Sequence, residues 1–538
     1  MRLTLKNQAF WAITNVDQSA RAGESKGKRL SGGYAIVGSA FGGKRLAARW
    51  TTRTLVGSSV VSPVSFVNQR KTMTKRVIIS GGQSASSMMH ELLDSAVDAH
   101  RAAFKGFQLP NVKAFRSSYQ NHLPVFEQYR LSADERIQIA GTLISGLQGK
   151  LVLADESSEV SLSDHLAMPA VKPVLSMAKV TPFSPWTPSL PYGGRHWQGS
   201  DIEALIDDLF ARHWLSGKAA RSLRAVASSS IDASVDLRGH RIAVIGASAE
   251  MAPTAYWLKA GADVLWIDKV APPLDWQTGH FPGRLYWPTQ TIDLLTEPES
   301  ALAALMAFAD SGPMHLGLYA YAPGAMREVL LTGVMNAIVD ALPAEAVQTV
   351  SMLLSPTTPT ALESDDEVAS QDWWSKRPAW VSGLRALGQL RPSRYLNQGC
   401  PLSDSVVAIQ GASYQAAQYF GKTMMAEVWQ SKARFRVSLV TAPITRTRSL
   451  EHPIFAAAFQ GAKALGVETF APSFSQQAGA IMAMTDWFSD VPTKLLAQRL
   501  HGGIHTMPYR LESALIMAAV IGFSRRPQLL AGLLGSKS

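Results

Sequence analysis

The sequence predicts an α/β protein in which a doubly wound parallel sheet follows a mainly helical N-terminal domain. Three observations support this prediction. From Arg241 onward, short apolar runs alternate with helical patterns, as in repeated strand–helix–strand units. Those runs are apolar throughout, which is typical of strands that are covered on both faces. Residues 84–150, by contrast, have apolar residues at helical spacing.

The N-terminal half is predicted to contain helices and one long connection. Residues 86–104 and 131–147 follow helical spacing, and the second run begins with a serine before an acidic first turn. A further helix is predicted over 201–227. Residues 165–200 are rich in Pro, Trp and Gly, which indicates a long ordered loop or a lid.

The elements of the predicted sheet follow in alternation. The predicted strands are 241–246, 262–268, 315–321, 346–354, 406–410 and 434–442. The predicted helices are 251–260, 299–310, 325–342 and 414–430. We therefore expect a mainly helical domain over 73–235 with a Pro/Trp-rich lid, and a sheet-containing domain over 236–538.

The first 72 residues are set apart by their charge. They hold 7 Arg and 5 Lys against one Asp and one Glu, and so contribute +10 to the net charge of +11. Because the rest of the chain is nearly neutral, the charge argues against a nucleic-acid-binding protein. Residues 1–72 are predicted to be a disordered basic leader or transit-like extension, although Met73 is an equally natural start. The expected location is cytoplasmic, or an organelle if this segment is a transit peptide.

Other classes of site are disfavoured by composition. The single cysteine, Cys400, excludes an internal disulfide and a cysteine-based zinc site. No apolar run approaches the roughly 20 residues that span a bilayer. His501 and His505 have a spacing that suits a metal only on a helix, and the two glycines between them disfavour a helix, so no metal is predicted.

A nucleotide site is predicted at the start of the sheet domain. Gly246 ends the first strand and permits a tight turn, and Ser248 is small enough for a phosphate to approach the backbone. Asp268 ends the second strand, at about the 20-residue spacing expected for a ribose ligand, and a carboxylate there favours NAD over NADP. The full three-glycine fingerprint is not present.

The order of these motifs resembles the short-chain dehydrogenase/reductase superfamily over residues 238–450. Besides the turn and Asp268, the resemblance includes residues 320–324, and residues 438–447 around Pro443, which are similar to the family's segment beside the nicotinamide. It implies a Rossmann-like domain, NAD or NADP as cofactor, and binding of that cofactor by Gly246, Ser248, Asp268 and Pro443.

The resemblance also implies a Ser–Tyr–Lys site. Tyr414 is the matching tyrosine and Ser355 the matching serine. The family has a lysine four residues after the tyrosine, where this chain has Gln418, so Lys422 is the candidate for charge support. Tyr419 with Lys422 is a second pairing.

The predicted function is that of an NAD(P)-dependent oxidoreductase that transfers hydride to or from a carbonyl, alcohol or enone of a fairly apolar small molecule. One alternative is a serine acyl hydrolase, because Ser413 follows a predicted strand and precedes a helix, with His501 or His505 as the base. A second alternative is a non-catalytic nucleotide-binding protein. The expected partner is a small molecule, with no nucleic acid and no membrane span, and a homo-oligomer stays open.

Overall fold

The computed structural model describes residues 75–228, 234–322, 324, 326–396, 400–447, 453–489 and 495–530. The predicted leader over 1–72 lies outside the described residues. The strands are β1 (Arg76–Ile79), β2 (Leu151–Ala154), β3 (Glu159–Ser161), β4 (Leu175–Met177), β5 (Ser189–Tyr192), β6 (Arg195–Gln198), β7 (Arg241–Ile245), β8 (Asp263–Ile267), β9 (Leu285–Pro288), β10 (Met314–Leu318), β11 (Val347–Leu354), β12 (Arg436–Thr441) and β13 (Gln498–Arg499).

Helices surround these strands. They are α1 (Ala85–Ala99), α2 (Val112–Ser132), α3 (Arg136–Gly149), α4 (Leu162–Leu166), α5 (Asp201–Ala211), α6 (Gly217–Ser228), α7 (Thr254–Lys259), α8 (Leu274–Gly279), α9 (Pro298–Ala309), α10 (Arg327–Ala341), α11 (Ser364–Ser375), α12 (Ala379–Ala386), α14 (Pro453–Ala462), α15 (Pro472–Trp487) and α16 (Leu511–Arg525). The remaining helix, α13, runs without a break through Ala412–Ala416, Ala417–Met424 and Met425–Lys432, and its middle segment is a π-helix.

A sheet of eight strands organises the described residues, in the order β13-β12-β11-β10-β7-β8-β9-β4. Neighbouring strands are parallel, except that β4 pairs with β9 in antiparallel orientation at one edge. The chain adds β8 and β9 on one side of β7, and then returns to add β10, β11, β12 and β13 on the other side. The predicted α/β class with a large, mostly parallel sheet is confirmed.

Both faces of the sheet are buried, and β7 shows how. Ala243 and Ile245 point into a core that includes apolar residues of α3, α9 and α10. Ile242 and Val244 point into a second core, formed with α5, α6 and α15. Since successive side chains of a strand face opposite ways, a strand covered on both faces must be apolar at every position, as this sequence is.

The N-terminal part contains strands as well as helices. β1, β2 and β3 form a small antiparallel sheet, and β5 pairs with β6. The Pro/Trp-rich segment supplies β4, so residues before and after position 235 share the central sheet. No helix in the described part of the chain combines the length and the apolar character that crossing a bilayer requires.

Several predicted elements differ from the structure. Residues 406–410 are not a strand, because their last three residues, Ala408–Gln410, form a 3-10 turn. Tyr119 donates a hydrogen bond to the carbonyl of Ala408 in this turn. The helix after β7 begins at Thr254 rather than near 251 and has six residues. The predicted helix over 201–227 is two helices, α5 and α6, because the chain turns at His213, which has a left-handed φ of 57°.

Candidate functional site

A cavity of about 590 Å³ lies at the carboxyl ends of β10, β11 and β12. Leu318 and Leu354, the last residues of β10 and β11, line it, and so does Pro443, two residues after β12. Residues 249–251, in the turn after β7, also line the cavity. The cavity is therefore next to the point between β7 and β10 where the direction of strand addition reverses, which is where open α/β sheets bind ligands.

Ser355, Tyr414 and Lys422 line this cavity together. Ser355 directly follows β11, and the other two lie eight residues apart on α13. Eight residues of regular α-helix make about 2.2 turns, which would rotate Lys422 away from the side of Tyr414. The π-helix over Ala417–Met424 holds more residues per turn, so the same eight residues come closer to two whole turns. This segment thereby helps to turn Lys422 toward the cavity that Tyr414 lines.

Lys422 is buried, and its amine forms no ion pair with an acid among the described residues. Its side chain is 6% exposed, and its Nζ donates to the carbonyl oxygen of Leu353 at a long 3.4 Å. Burial is the cause that lowers its pKa to about 8. A lysine in such surroundings costs folding free energy, because its charged form loses water and gains little in return. Groups held at this cost are concentrated at functional sites.

The half-buried Tyr414 contacts several polar groups. Burial raises the pKa of its hydroxyl, and a hydrogen bond with the Ser355 side chain acts against that rise. The charges of Tyr321 and Glu328 add to the rise, and the ring of Tyr321 meets that of Tyr414 edge to face, with centroids 6.5 Å apart. Tyr414 is therefore protonated at neutral pH, which is the state of a proton donor.

Hydrogen bonds hold Ser355 in place. Its hydroxyl lies 2.7 Å from that of Thr357, which in turn donates to the side-chain oxygen of Gln410 at 2.6 Å. Its backbone N–H donates to Oε1 of Gln418 at 3.0 Å. Gln418, four residues after Tyr414, is 5% exposed and anchors the chain after β11 through this bond.

Tyr419, the other tyrosine proposed to pair with Lys422, lies outside the cavity. The hydroxyl of Tyr419 donates to Glu127, which also accepts from Arg130 at 2.7 Å. Arg130 is 1% exposed and forms a second ion pair with Glu427 at 2.9 Å. Tyr419 belongs to this buried network between α2 and α13, and it does not line the cavity.

The three residues of the acyl hydrolase alternative, Ser413, His501 and His505, have separate hydrogen-bond partners. The hydroxyl of Ser413 donates to Glu328 at 2.9 Å, and Gly324 donates its N–H to the other oxygen of that carboxylate at 3.0 Å. Nε2 of His505 lies 2.9 Å from the carbonyl of Pro356, and Nδ1 of His501 accepts from Gly503. Among the described residues, neither histidine hydrogen-bonds to Ser413, whereas a serine nucleophile needs such a base.

The two histidines are buried and uncharged. Their rings stack with centroids 4.9 Å apart. Burial lowers the pKa of His505 to about 4, and burial together with the neighbouring His505 ring lowers the pKa of His501 well below its usual value. In the part of the chain that the structure describes, no group of three or more His, Cys, Asp or Glu residues could hold a metal ion.

The turn after β7 has the predicted form at Gly246, whose φ of 81° suits glycine. Its N–H donates to the carbonyl of Ile267 at 2.8 Å. The N–H and the hydroxyl of Ser248 both donate to Oδ2 of Asp268, each at 2.8 Å. The acid thus ties the turn to the end of β8. Gly246, Ser248 and Asp268 themselves do not line the cavity, although the next three residues of the turn do.

The far side of the cavity is a wall that sequence analysis missed. It is made by α14 and α16, each of which presents residues at spacings i, i+3, i+4 and i+7. The contributing residues are Phe455, Ala458, Phe459 and Ala462 of α14, and Leu511, Ala514, Leu515 and Ala518 of α16. That spacing is visible in the sequence, but it predicts an ordinary core face equally well.

The structure thus brings together four of the seven predicted site residues, Ser355, Tyr414, Lys422 and Pro443, around one cavity. Gly246 and Ser248 lie in the adjoining turn, and Asp268 bonds to that turn from the end of β8. No protein-family model matches this chain, and neither does any curated protein sequence.

Proposed function

We propose that this protein is an NAD- or NADP-dependent oxidoreductase with a Rossmann-like domain, a divergent relative of the short-chain dehydrogenases/reductases. Its substrate is a carbonyl, alcohol or enone on a fairly apolar small molecule. The observation that carries the proposal is that Ser355, Tyr414 and Lys422 line one cavity at the carboxyl edge of the sheet. The strand order supports it: numbered from β7, the parallel strands lie as 3-2-1-4-5-6-7, which extends the usual Rossmann order by one strand.

The residues present fit a dinucleotide at two places. At the cavity end, Lys422 offers a buried ammonium group that pairs with no carboxylate in the described part of the chain, and Pro443 borders the same space. At the turn end, Gly246 permits the tight turn, and the proposal assigns the ribose to Asp268, which follows β8. Because α7 has only six residues, the proposal places the phosphates on the turn itself and not on a helix end.

The reaction needs one hydride and one proton. When bound, the dinucleotide supplies or accepts the hydride at its nicotinamide ring. Reduction forms a C–H bond at the carbonyl carbon and an O–H bond at the carbonyl oxygen, while the C=O π bond breaks. The Tyr414 hydroxyl donates the proton for that O–H bond, and receives it back in the reverse direction.

The neighbours of Tyr414 have distinct parts in this scheme. The Ser355 hydroxyl, which already bonds with Tyr414, orients the substrate oxygen. The ammonium group of Lys422 stabilises the negative charge that Tyr414 acquires on losing its proton, or it holds the sugar of the cofactor. The apolar lining excludes water, which would otherwise weaken both effects.

Titration of the full chain with NADH and NADPH, followed by the fluorescence of the reduced nicotinamide, tests the first half of the proposal. We expect saturable binding of at least one of them. Tyr414→Phe should keep that binding and lower turnover of apolar ketones or alcohols by about a hundredfold or more, the usual contribution of a general acid.

Tyr256→Phe is the matched control, because Tyr256 is half-buried and does not line the cavity. It should leave both properties unchanged. The absence of binding to either dinucleotide would overturn the proposal. Binding without turnover in the unmodified protein would favour the non-catalytic nucleotide-binding alternative.

A further inference from the structure

The wall formed by α14 and α16 is shaped by small side chains. Ala458 and Ala462 on one helix, and Ala514 and Ala518 on the other, all line the cavity and are at most 8% exposed. Larger apolar residues at these positions would fill the space that the alanines leave. This end of the cavity is therefore open because four of the side chains that line it are single methyl groups.

The two helices cannot close that space by moving together, because their backbones already touch. A Cβ at Gly461 would lie 1.9 Å from the carbonyl oxygen of Ala518, and one at Gly522 would lie 1.8 Å from that of Ala457. Both glycines are needed for this close crossing. The separation of the two helices is therefore set by backbone contact, which keeps the space beside them open.

Polar and apolar groups lie on different walls of the cavity. The eight residues contributed by α14 and α16 are all apolar. The charged residues Glu250, Glu328 and Lys422 come from other elements, as do Ser355 and Tyr414. A ligand that satisfies both walls has one oxygen function and an apolar body that needs no hydrogen-bond partner.

We infer that the α14–α16 wall binds an unbranched aliphatic tail, so that the substrate is an aliphatic ketone or alcohol with its oxygen at Tyr414. From Phe455 to Ala462 the helix rises by about 10 Å, which sets the length of tail in contact with the wall. The tail site rests on the packing of the two helices alone; only the placement of the oxygen rests on the proposed function.

Calorimetric titration of the full chain with butanol, octanol and octane-diol, without added dinucleotide, tests the tail site by itself. Each buried methylene contributes about 0.8 kcal/mol, so octanol should bind at least a hundredfold more tightly than butanol. The diol carries a second hydroxyl at its far end, and that hydroxyl finds no hydrogen-bond partner on the wall. The diol should therefore bind at least about tenfold more weakly than octanol.

Ala514→Leu locates the site. It should weaken octanol binding at least tenfold and leave butanol binding nearly unchanged. Val520→Leu on the same helix is the control, since Val520 is 53% exposed and does not line the cavity. Thermal unfolding establishes that both variants fold, and the comparison of the three ligands on the unmodified protein stands even if Ala514→Leu does not fold.

Equal affinity for butanol and octanol, or equal affinity for octanol and the diol, would overturn the tail site. Octanol binding that Ala514→Leu leaves intact in a folded protein would do the same. The proposed function fails by a different result, the lack of dinucleotide binding, so the two outcomes can be told apart.

Discussion

Gly246 and Ala320 approach each other so closely that no side chain fits between them. A Cβ at position 246 would lie 2.3 Å from the backbone nitrogen of Ala320 and 2.4 Å from its Cα. The turn after β7 thus packs directly against the chain that leaves β10, and the two strands are those between which the sheet changes its direction of growth. This contact fixes the turn on which the proposed function places the cofactor phosphates.

Gly246→Ala should therefore destabilise the protein strongly. The left-handed backbone costs an alanine about 1–2 kcal/mol, and the contact with Ala320 adds about 1–3 kcal/mol of overpacking. Gly239→Ala is a matched control, because Gly239 has a similar φ of 83° and nothing within 4 Å of its Cβ position. Denaturant unfolding should show the larger loss at 246. Equal losses would mean that the turn yields to the side chain.

The buried amine of Lys422 makes stability depend on pH. Its pKa falls from 10.5 to about 8 on folding, so the unfolded chain binds more protons between these values, and the free energy of unfolding rises with pH there. Below pH 8 the buried charge of Lys422 lowers the free energy of unfolding by up to about 3 kcal/mol. Lys422→Met should thus be the more stable protein at pH 7, with an advantage that shrinks toward pH 10.

Lys432→Met, at an exposed position of the same helix, serves as the control for this pH series. Its stability relative to the unmodified protein should not vary over the same range. A constant difference for Lys422→Met would mean that Lys422 is charged at every pH tested and has a partner.

Gln418→Met should loosen the site at Ser355. The substitution keeps the size of the side chain and removes the oxygen that accepts the Ser355 N–H at 3.0 Å. A buried N–H without an acceptor costs about 1–3 kcal/mol. Thermal unfolding measures that loss, and turnover measured on the folded variant should fall with it. A variant as stable as the original would show that this hydrogen bond is replaced by another.

Asp268 should set the choice between the two dinucleotides. A carboxylate near the ribose repels a 2′-phosphate, so NADH should bind more tightly than NADPH. Asp268→Asn removes the charge and keeps an acceptor for Ser248. It should reduce the preference for NADH over NADPH about fivefold, because two charges about 4 Å apart and screened by water interact by about 1 kcal/mol. An unchanged ratio of the two dissociation constants would remove Asp268 from the cofactor site.

Ser413→Ala separates the oxidoreductase from the acyl hydrolase. The hydroxyl of Ser413 donates to Glu328 and has no part in the proposed transfer of hydride and proton, so we expect its loss to leave both dinucleotide binding and turnover nearly unchanged. Hydrolysis of aliphatic esters by the unmodified protein, abolished in this variant, would reverse the assignment.

Sequence alone identified the α/β class and most strands of the central sheet. The run Arg241–Ile245 illustrates why. A strand buried on both faces needs apolar residues at successive positions, and such an uninterrupted apolar run is visible in the sequence. Ser355 and Tyr414 were proposed as site residues through the resemblance to a known family, and the structure places both on one cavity.

Only the tertiary structure decided which of these residues meet. The π-helix that turns Lys422 toward the cavity, the anchoring of Ser355 by Gln418, and the wall of α14 and α16 depend on contacts between residues far apart in the chain. Helical spacing at Ala514 and Ala518 says that one face is buried, but not whether it meets another helix or a cavity. Local periodicity predicts which residues are buried, because it depends on neighbours in the sequence. What those residues contact depends on the packing of the whole chain.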